Sequence, residues 1–390
     1  MSSVFQPKTD DEALAWVRAR IRDRKPFRIR AEAKAHPDCD TDVLATSALN
    51  ALCFFHPDDM VIGVESGMPF NQLHRLLAEK KMCLPVNPWF REQTVGQVLA
   101  TNQYGPDRMT TGGMRDDIIG VGYINGFGQK VKAGGQMVKN VTGYDVCKMI
   151  VGSRGGFGPI TRINFKMKPA PINPLGLYFE MAGNHWLAWF RDEVYGRHLP
   201  LDWAQAVHKQ GNWRLGLGIS GNEHRQQRLI SELQKAFDGQ LIPARDGEEP
   251  LPFRNFSSKI RYGGFLTPHL AQYDEPTYHL HVSLPTAPLL ERVRLMDHLT
   301  CEDATLVLHP VGADFHMIGP MAQLTEERCD TLRRLLSGTG AYLTQETVAP
   351  GLLQTFGYSV PLPSEYPLMQ RLKKSLDPAG VFQSPFYEMV

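Results

Sequence analysis

The stretch from Gly112 to Pro169, GGMRDDIIGVGYINGFGQKVKAGGQMVKNVTGYDVCKMIVGSRGGFGPITRINFKMKP, decides how the first half of this chain folds. Its short apolar runs are separated by glycines at Gly112, Gly113, Gly134, Gly135, Gly143, Gly152, Gly155, Gly156 and Gly158. Glycine tolerates a positive φ and lets another group approach where a Cβ would block it. Lys139, Asn140, Tyr144 and Asp145 lie among these glycines. The stretch therefore predicts a chain folded around a large polar ligand.

Residue periodicity outside this stretch predicts alternating helices and strands. Thr9 or Asp10 can cap a helix that ends near Arg24, and Pro69 can open a second helix. Strand patterns occupy residues 27–30, 60–65, 117–125 and 160–167, and residues 138–151 contain a short helix. This order predicts an α+β domain over residues 1–170.

Three prolines, Pro169, Pro171 and Pro174, mark the clearest domain boundary. Beyond them, strand patterns at 213–220, 278–284 and 304–309 alternate with helical patterns at 223–237 and 289–299. They predict a second α+β domain over residues 171–365. Residues 366–390 form a tail, whose helix at 366–376 we expect to return to the first domain. The sequence shows no internal repeat.

Composition narrows the class of protein. A chain of 390 residues can hold two or three domains, and a net charge of +1 without a basic stretch argues against nucleic-acid binding. No apolar stretch is long enough to cross a bilayer, and the N-terminus lacks a signal pattern. The six cysteines form no CxxC pair, zinc spacing or iron–sulfur pattern. We therefore expect a cytoplasmic protein that meets a membrane only through partners.

The glycine-rich stretch carries a resemblance to a known family. Gly134–Asp145 (GGQMVKNVTGYD), Gly152–Gly158 (GSRGGFG), Thr161 and Pro169 follow one another as in the FAD-binding subunits of bacterial glycolate oxidases (glycolate dehydrogenases). These subunits belong to the vanillyl-alcohol-oxidase or PCMH-type FAD-binding superfamily. The resemblance implies a two-subdomain PCMH-type FAD-binding domain, followed by a smaller α+β, ferredoxin-like cap domain.

The same resemblance implies FAD as the cofactor and a set of residues around it. Glycine-rich turns suit its phosphates because their backbone N–H groups converge on an anion. The implied cofactor-binding residues are Thr94, Gly96, Asn102, Gly105, Gly112, Arg115, Asp116, Lys139, Asn140, Gly143, Tyr144, Asp145, Gly152, Gly158 and Ile160. In the family, Arg115 and Asp116 would lie near the flavin ring, residues 139–145 beside it and residues 152–160 near the adenosine half.

The implied function is an FAD-binding subunit of a 2-hydroxyacid dehydrogenase complex of glycolate or D-lactate type. Such a subunit passes electrons between its flavin and partner redox subunits, here a second flavin subunit and an iron–sulfur subunit. No convincing set of substrate-binding arginines and histidines stands out in this sequence. We therefore expect the small 2-hydroxy acid to be oxidised on the partner.

Two alternatives remain open. Residues 31–36 (AEAKAH) contain no glycine where relatives carry a phosphate loop, Gln97 replaces a common glycine, and Pro159 lacks a backbone N–H. These departures favour a flavin-free structural subunit as the alternative. His309 and His316 are spaced as in a metal-binding string, HVGDGNLH, of related dehydrogenases, but two unrelated histidines at a strand end are the favoured interpretation, and no metal ligand is assigned.

Overall fold

The computed structural model describes residues 3–31, 41–86, 88, 93–137, 146–182, 186–209, 211–236, 242–244, 277–283, 304–310, 314–336, 342–347, 359–360, 366–384 and 386–387. The chain forms two compact units. The first contains Met1–Gly105, Gly112–Ala170 and Ser364–Val390, and the second contains Pro106–Thr111 and Pro171–Pro363. Both units mix helices with sheets, so the α+β prediction is confirmed.

The first unit has short elements joined by tight turns. In chain order they are β1 (Val4–Phe5), α1 (Asp10–Asp23), β2 (Phe27–Arg30), β3 (Asp42–Ala45), β4 (Leu52–His56), β5 (Val61–Glu65), α2 (Phe70–Glu79), β6 (Met82–Cys83) and α3 (Val95–Ala100). After α4 (Arg108–Thr111), which groups with the second unit, come α5 (Met114–Asp117), β7 (Ile118–Ile124), β8 (Lys130–Gly134), α6 (Val146–Ile150), β9 (Ile160–Lys166) and β10 (Lys168–Pro169). The tail adds α10 (Tyr366–Leu376) and β20 (Phe382–Gln383).

A parallel four-stranded sheet in the order β1-β3-β2-β20 forms one half of this unit. Helix α1 packs on it because Ala13 and Val17 lie on one face and meet Phe27 and Phe382 in a common core. Its start follows the prediction, since the Thr9 side chain accepts a hydrogen bond from the Glu12 backbone N–H. The tail therefore completes this sheet through β20.

An antiparallel five-stranded sheet in the order β4-β5-β9-β7-β8 forms the other half. Strand β9 lies at its centre, which explains why Ile163 and Phe165 are fully buried. The buried face of α2 is formed by Phe70, Leu73, His74 and Leu77. Strands β6 and β10 form a separate antiparallel pair.

The second unit is built on one nine-stranded antiparallel sheet. Its elements are β11 (Leu175–Ala182), α7 (Trp186–Trp189) with a π-helical continuation (Phe190–Tyr195), β12 (Trp203–Lys209), β13 (Asn212–Ile219), α8 (Glu223–Ala236), β14 (Ile242–Ala244), β15 (Thr277–Ser283), β16 (Thr305–Leu308), β17 (Asp314–Pro320), a 3₁₀ turn (Met321–Gln323), α9 (Glu326–Leu336), β18 (Tyr342–Thr347) and β19 (Ser359–Val360). Large apolar side chains that include Phe179, Trp213, Leu280 and Phe315 form its core.

The nine-stranded sheet contains a repeated arrangement that the sequence did not reveal. Its first half runs β14-β11-β13-β12, and its second half runs β18-β15-β17-β16. In each half the fourth strand in chain order lies beside the first, followed by the third and the second. This is the strand order of a βαββαβ, ferredoxin-like unit. The halves join where β12 pairs with β16. The repeat is one of topology, which the analysis of internal repeats in the sequence did not address.

Residues Pro106–Thr111 group with the second unit, although they lie within the stretch 1–170 that we expect to form the first domain. The chain leaves the first unit after Gly105 and returns at Gly112. Between them the Pro106 carbonyl accepts a hydrogen bond from the Ala204 N–H at 3.1 Å. No helix in the described part of the chain is long and apolar enough to cross a membrane.

Candidate functional site

Ser66 organises the centre of the predicted site, although sequence analysis did not select it. Its carbonyl accepts the Gly96 N–H at 2.6 Å, and its hydroxyl donates to the Ile160 carbonyl at 2.6 Å. Thr94 begins α3, where its hydroxyl accepts from the Gln97 N–H at 3.2 Å. A Cβ at Gly96 would lie 2.7 Å from the Ser66 Cβ. The fold therefore brings Gly96 and Ile160 to one serine.

Asn102 and Gly152 form a second meeting point. Their backbone N–H groups donate to the same acceptor, the Leu99 carbonyl, at 3.1 Å and 3.0 Å. Both residues have a positive φ, 52° and 79°. The turn that begins at Gly152 continues to Gly158, and its Arg154 N–H donates to the Ala100 carbonyl at 2.9 Å. Two predicted segments, residues 94–105 and 152–160, thus lie side by side.

Several of the glycines are required by the fold itself. Gly158 has a φ of 119°, and a Cβ there would collide with the Ile124 carbonyl oxygen. Gly134 has a φ of 72°, and a Cβ there would collide with the Ile119 carbonyl oxygen. These positions need glycine because another part of the backbone occupies the space. Gly113 differs, since nothing lies within 4 Å of a Cβ built there.

The Gly112–Asp116 turn holds the two residues that the resemblance placed near the flavin ring. Gly112 has a φ of 80°, and Asp116 accepts the Gly113 N–H through Oδ2 at 2.8 Å. Arg115 and Asp116 are both exposed. The carboxylate of Asp116 therefore fixes the turn, while the Arg115 side chain is open to solvent.

Asp117 follows this turn and is buried. Its Oδ1 lies 3.7 Å from the Lys166 Nζ, and its Oδ2 has no hydrogen-bond partner among the described residues. Burial raises the pKa of the Asp117 carboxyl to about 7, because desolvation penalises its charged form more than Lys166 favours it. This carboxyl can therefore gain or lose a proton near neutral pH beside the predicted site.

Within the described residues, three buried polar atoms without hydrogen-bond partners belong to sequence neighbours of predicted residues. Gln93 Oε1 adjoins Thr94 in sequence, Gln103 Oε1 adjoins Asn102, and Ser153 Oγ adjoins Gly152. A buried polar atom left unpaired costs about 1–3 kcal/mol, so a ligand that satisfied these atoms would gain affinity. Two acceptors and a hydroxyl suit a ligand rich in hydroxyl and phosphate groups, and FAD is such a ligand. On this observation the described residues fit FAD.

The C-terminal tail brings further polar groups to the Gly152–Gly158 turn. The Tyr387 ring packs against Gly156 and lies 5.6 Å from the Phe157 ring. Tyr387 Oη and Ser384 Oγ are buried, and neither has a hydrogen-bond partner within the described ranges. Burial raises the pKa of the Tyr387 phenol. Sequence analysis assigned the tail to the first domain but chose none of these residues.

Several predicted positions lie outside the described residues. They are Lys139, Asn140, Gly143, Tyr144 and Asp145, together with Glu32 to His36. Among the described positions, Gly105 is buried. Two departures from the family pattern serve ordinary structural roles: Gln97 forms part of α3, and the Pro159 carbonyl accepts the Ile124 N–H at 3.0 Å.

A separate group of histidines lies in the second unit. His279 Nε2 and His316 Nδ1 are 2.9 Å apart, and the His281 ring stacks on His316 with centroids 4.7 Å apart. Burial and the two neighbouring rings hold the pKa of His316 well below its ordinary range. His309 is buried just beyond β16. Within the described residues, no group of three or more His, Cys, Asp or Glu side chains could hold a metal ion.

Comparison with known proteins identifies the first unit more closely. Residues 1–146 match the family model of an FAD binding domain. Glycolate oxidase subunit GlcE of Escherichia coli (strain K12) is 34% identical over 130 residues, which cover 33% of this chain and 37% of that protein. FAD is therefore the cofactor of the matched domain, as the resemblance implied.

Other relatives carry the names of related oxidoreductases. D-lactate dehydrogenase of Anaerostipes hadrus is 27% identical over 135 residues, which cover 35% of this chain and 28% of that protein. Glycolate oxidase subunit GlcD of Bacillus subtilis (strain 168) is 27% identical over 137 residues, which cover 34% of this chain and 29% of that protein. The matched segments thus span well under half the length of these curated relatives. They support a family of flavin-dependent 2-hydroxyacid dehydrogenases.

Proposed function

We propose that this chain is an FAD-binding subunit of a 2-hydroxyacid dehydrogenase complex of glycolate or D-lactate type. The observation that carries the proposal is that Gln103 and Ser153 each have a buried polar atom without a hydrogen-bond partner in the described residues. They directly follow Asn102 and Gly152, whose N–H groups share the Leu99 carbonyl. The match of residues 1–146 to an FAD binding domain supports it independently. When bound, FAD supplies a two-electron acceptor.

The residues of this chain would hold the cofactor rather than react with it. The proposed cofactor-binding set is the one given in the sequence analysis, with Gln93, Gln103 and Ser153 added. Ser153 would donate its hydroxyl proton, and the two glutamines would accept through their side-chain oxygens. Arg115, exposed beside the Gly112 turn, offers a positive charge to an anionic group.

We place substrate oxidation on a partner and propose a heteromeric complex with a second flavin subunit and an iron–sulfur subunit. The names of two relatives describe them as subunits, which supports assembly. The second unit would be the cap domain, and its ferredoxin-like halves agree with that proposal. We place the complex in the cytoplasm.

The visible absorption spectrum of the purified chain, before and after addition of FAD, tests the proposal. We expect flavin bands at close to one flavin per chain. Gln103→Met should weaken FAD binding by about two- to tenfold, because one hydrogen bond contributes about 0.5–1.5 kcal/mol. Gln205→Met is the control, since Gln205 also has a buried Oε1 without a hydrogen-bond partner in the described residues but belongs to the second unit. It should leave FAD affinity unchanged.

A flavin-free structural subunit is the alternative proposal. The glycine requirements at Gly158 and Gly134, which arise from backbone contacts, favour it, because those glycines would be retained without a cofactor. Residues 31–36, which lack glycine after β2, favour it as well. A colourless protein that takes up no added FAD would support this alternative and overturn the flavin proposal.

A further inference from the structure

We infer that the segment Pro106–Thr111, through the Thr110 hydroxyl, positions the Gly112–Asp116 turn and thereby sets the affinity of the first unit for FAD. The inference rests on the proposed function for its cofactor. We call Pro106–Thr111 the connecting segment. It leaves Gly105 and rejoins the first unit at Gly112, so it lies between two of the proposed cofactor-binding stretches in sequence.

The connecting segment is itself a rigid turn. The Asp107 carbonyl is the acceptor for the backbone N–H groups of Thr110 and Thr111, at 2.9 Å and 3.0 Å. The hydroxyls of the same two threonines also lie 2.9 Å from that carbonyl. Pro106 and Asp107 are buried. These bonds order the segment as far as Thr111, the residue directly before Gly112.

Two hydrogen bonds fasten the connecting segment to the start of β12. The Ala204 N–H donates to the Pro106 carbonyl at 3.1 Å. The Thr110 hydroxyl lies 2.6 Å from the Asp202 carbonyl, closer than to Asp107. A hydroxyl has one proton to donate, and the shorter distance favours Asp202 as its acceptor. Within the described residues, the Thr111 hydroxyl bonds to the Asp107 carbonyl alone.

Other hydrogen bonds hold Asp202, whose carbonyl accepts the Thr110 hydroxyl bond. The Asp202 N–H donates to the Gly218 carbonyl at 2.7 Å, and the Ser220 hydroxyl donates to Asp202 Oδ1 at 3.1 Å. Arg225 of α8 donates to the carbonyls of Ser220 and, at 3.2 Å, Pro200. The Thr110 hydroxyl is thus fixed to a corner of the second unit that several bonds hold in place.

The Gly112–Asp116 turn begins two residues after Thr110. Gly112 has a φ of 80°, and a Cβ there would lie 2.6 Å from Asp116 Oδ2, the atom that accepts the Gly113 N–H. The direction in which the chain enters Gly112 therefore matters for this bond. Loss of the Thr110 bond should loosen this entry and raise the cost of ordering the turn around a ligand. Thr110 is a positioning residue in this account and makes no contact with the cofactor.

The test compares Thr110→Val with Thr111→Val in the full chain. Both changes remove one hydroxyl and keep a β-branched side chain, but only the first removes the bond to Asp202. Hydrogen–deuterium exchange of the Gly113 N–H measures the order of the turn without any ligand. We expect Thr110→Val to speed this exchange and to raise the FAD dissociation constant by about threefold to tenfold. Thr111→Val should resemble the native chain, and Thr110→Ser should restore both readouts.

Equal Gly113 exchange in Thr110→Val and Thr111→Val would overturn the inference, whatever the cofactor does. Faster Gly113 exchange in Thr110→Val with unchanged FAD affinity would overturn the part of the inference that concerns FAD binding. If the native chain bound no FAD but Gly113 exchange differed as expected, the proposed function would fail while the mechanical link remained supported. The exchange readout therefore separates the two failures.

Discussion

His279 and His316 share a buried hydrogen bond of 2.9 Å between Nε2 of the first ring and Nδ1 of the second. One of these nitrogens must donate a proton and the other must accept it. If both nitrogens carried a proton, neither could accept and the hydrogen bond would be lost. Burial among histidine rings also holds its pKa well below the ordinary value. The pair therefore makes the second unit sensitive to acid.

We predict that the second unit loses stability as the pH falls below about 6.5, the ordinary pKa of histidine. Below that value the unfolded chain binds a proton at His316 that the folded chain does not, so stability is present above it and declines below it. Thermal unfolding at pH 7.5 and pH 5 measures the effect. His316→Gln should flatten the dependence, whereas His224→Gln, at an exposed position on α8, should retain it. Equal slopes in the two variants would contradict the assignment.

Asp117 should give the first unit the opposite dependence on pH. Its folded pKa of about 7 lies above the ordinary value, so the folded state holds a proton that the unfolded chain releases. The stabilisation is complete below about pH 4 and is lost as the pH rises through about 7, and each pKa unit is worth about 1.4 kcal/mol. Asp117→Asn should therefore raise stability more at pH 8 than at pH 5.

Chemical denaturation of the Asp117→Asn variant at pH 5 and pH 8 checks this prediction. Asp59→Asn is the control, since Asp59 is exposed in the turn before β5. It should change stability little at either pH. A stabilisation of the Asp117 variant that did not depend on pH would mean that the carboxylate is ionised throughout.

Two glycine substitutions test whether glycine is required by the fold itself, apart from any ligand. Gly158→Ala should destabilise the chain by about 2 kcal/mol or more, because its φ of 119° is unfavourable for alanine and the Cβ would meet the Ile124 carbonyl. Gly113→Ala has open space and should change stability by less than about 0.5 kcal/mol. Thermal unfolding without added FAD gives both values. Similar losses in the two variants would contradict the backbone argument.

Local features of the fold were predictable because their causes lie within a few residues. Thr9 caps α1, Pro69 precedes α2 and the alternation after Ile160 forms β9, as expected. The requirement for glycine at Gly158 was also visible, but its cause was not. The sequence pattern suggested space for a ligand, whereas the Ile124 carbonyl occupies that space.

Features that depend on distant contacts could not be predicted in the same way. The connecting segment joins β12 through Ala204, about a hundred residues away, and nothing local in Pro106–Thr111 signals this. Ser66 carries no motif, yet it binds the backbone at Gly96 and Ile160. The topological repeat was missed because the two halves share strand order rather than a visible sequence pattern.

Gln205 provides the last prediction. Its side chain is fully buried in β12, and in the part of the chain that the structure describes neither its Oε1 nor its Nε2 has a hydrogen-bond partner. An apolar side chain of similar length removes two unsatisfied polar atoms at little cost in packing, so Gln205→Met should stabilise the second unit by about 1–3 kcal/mol. Gln226→Met serves as the control, because the Gln226 amide donates to the Asn173 carbonyl and should not gain stability when replaced. Denaturant unfolding measures both changes. A loss of stability in the Gln205 variant would mean that water or a ligand satisfies this amide in solution, and the centre of the sheet where the two halves join would then become a binding site in its own right.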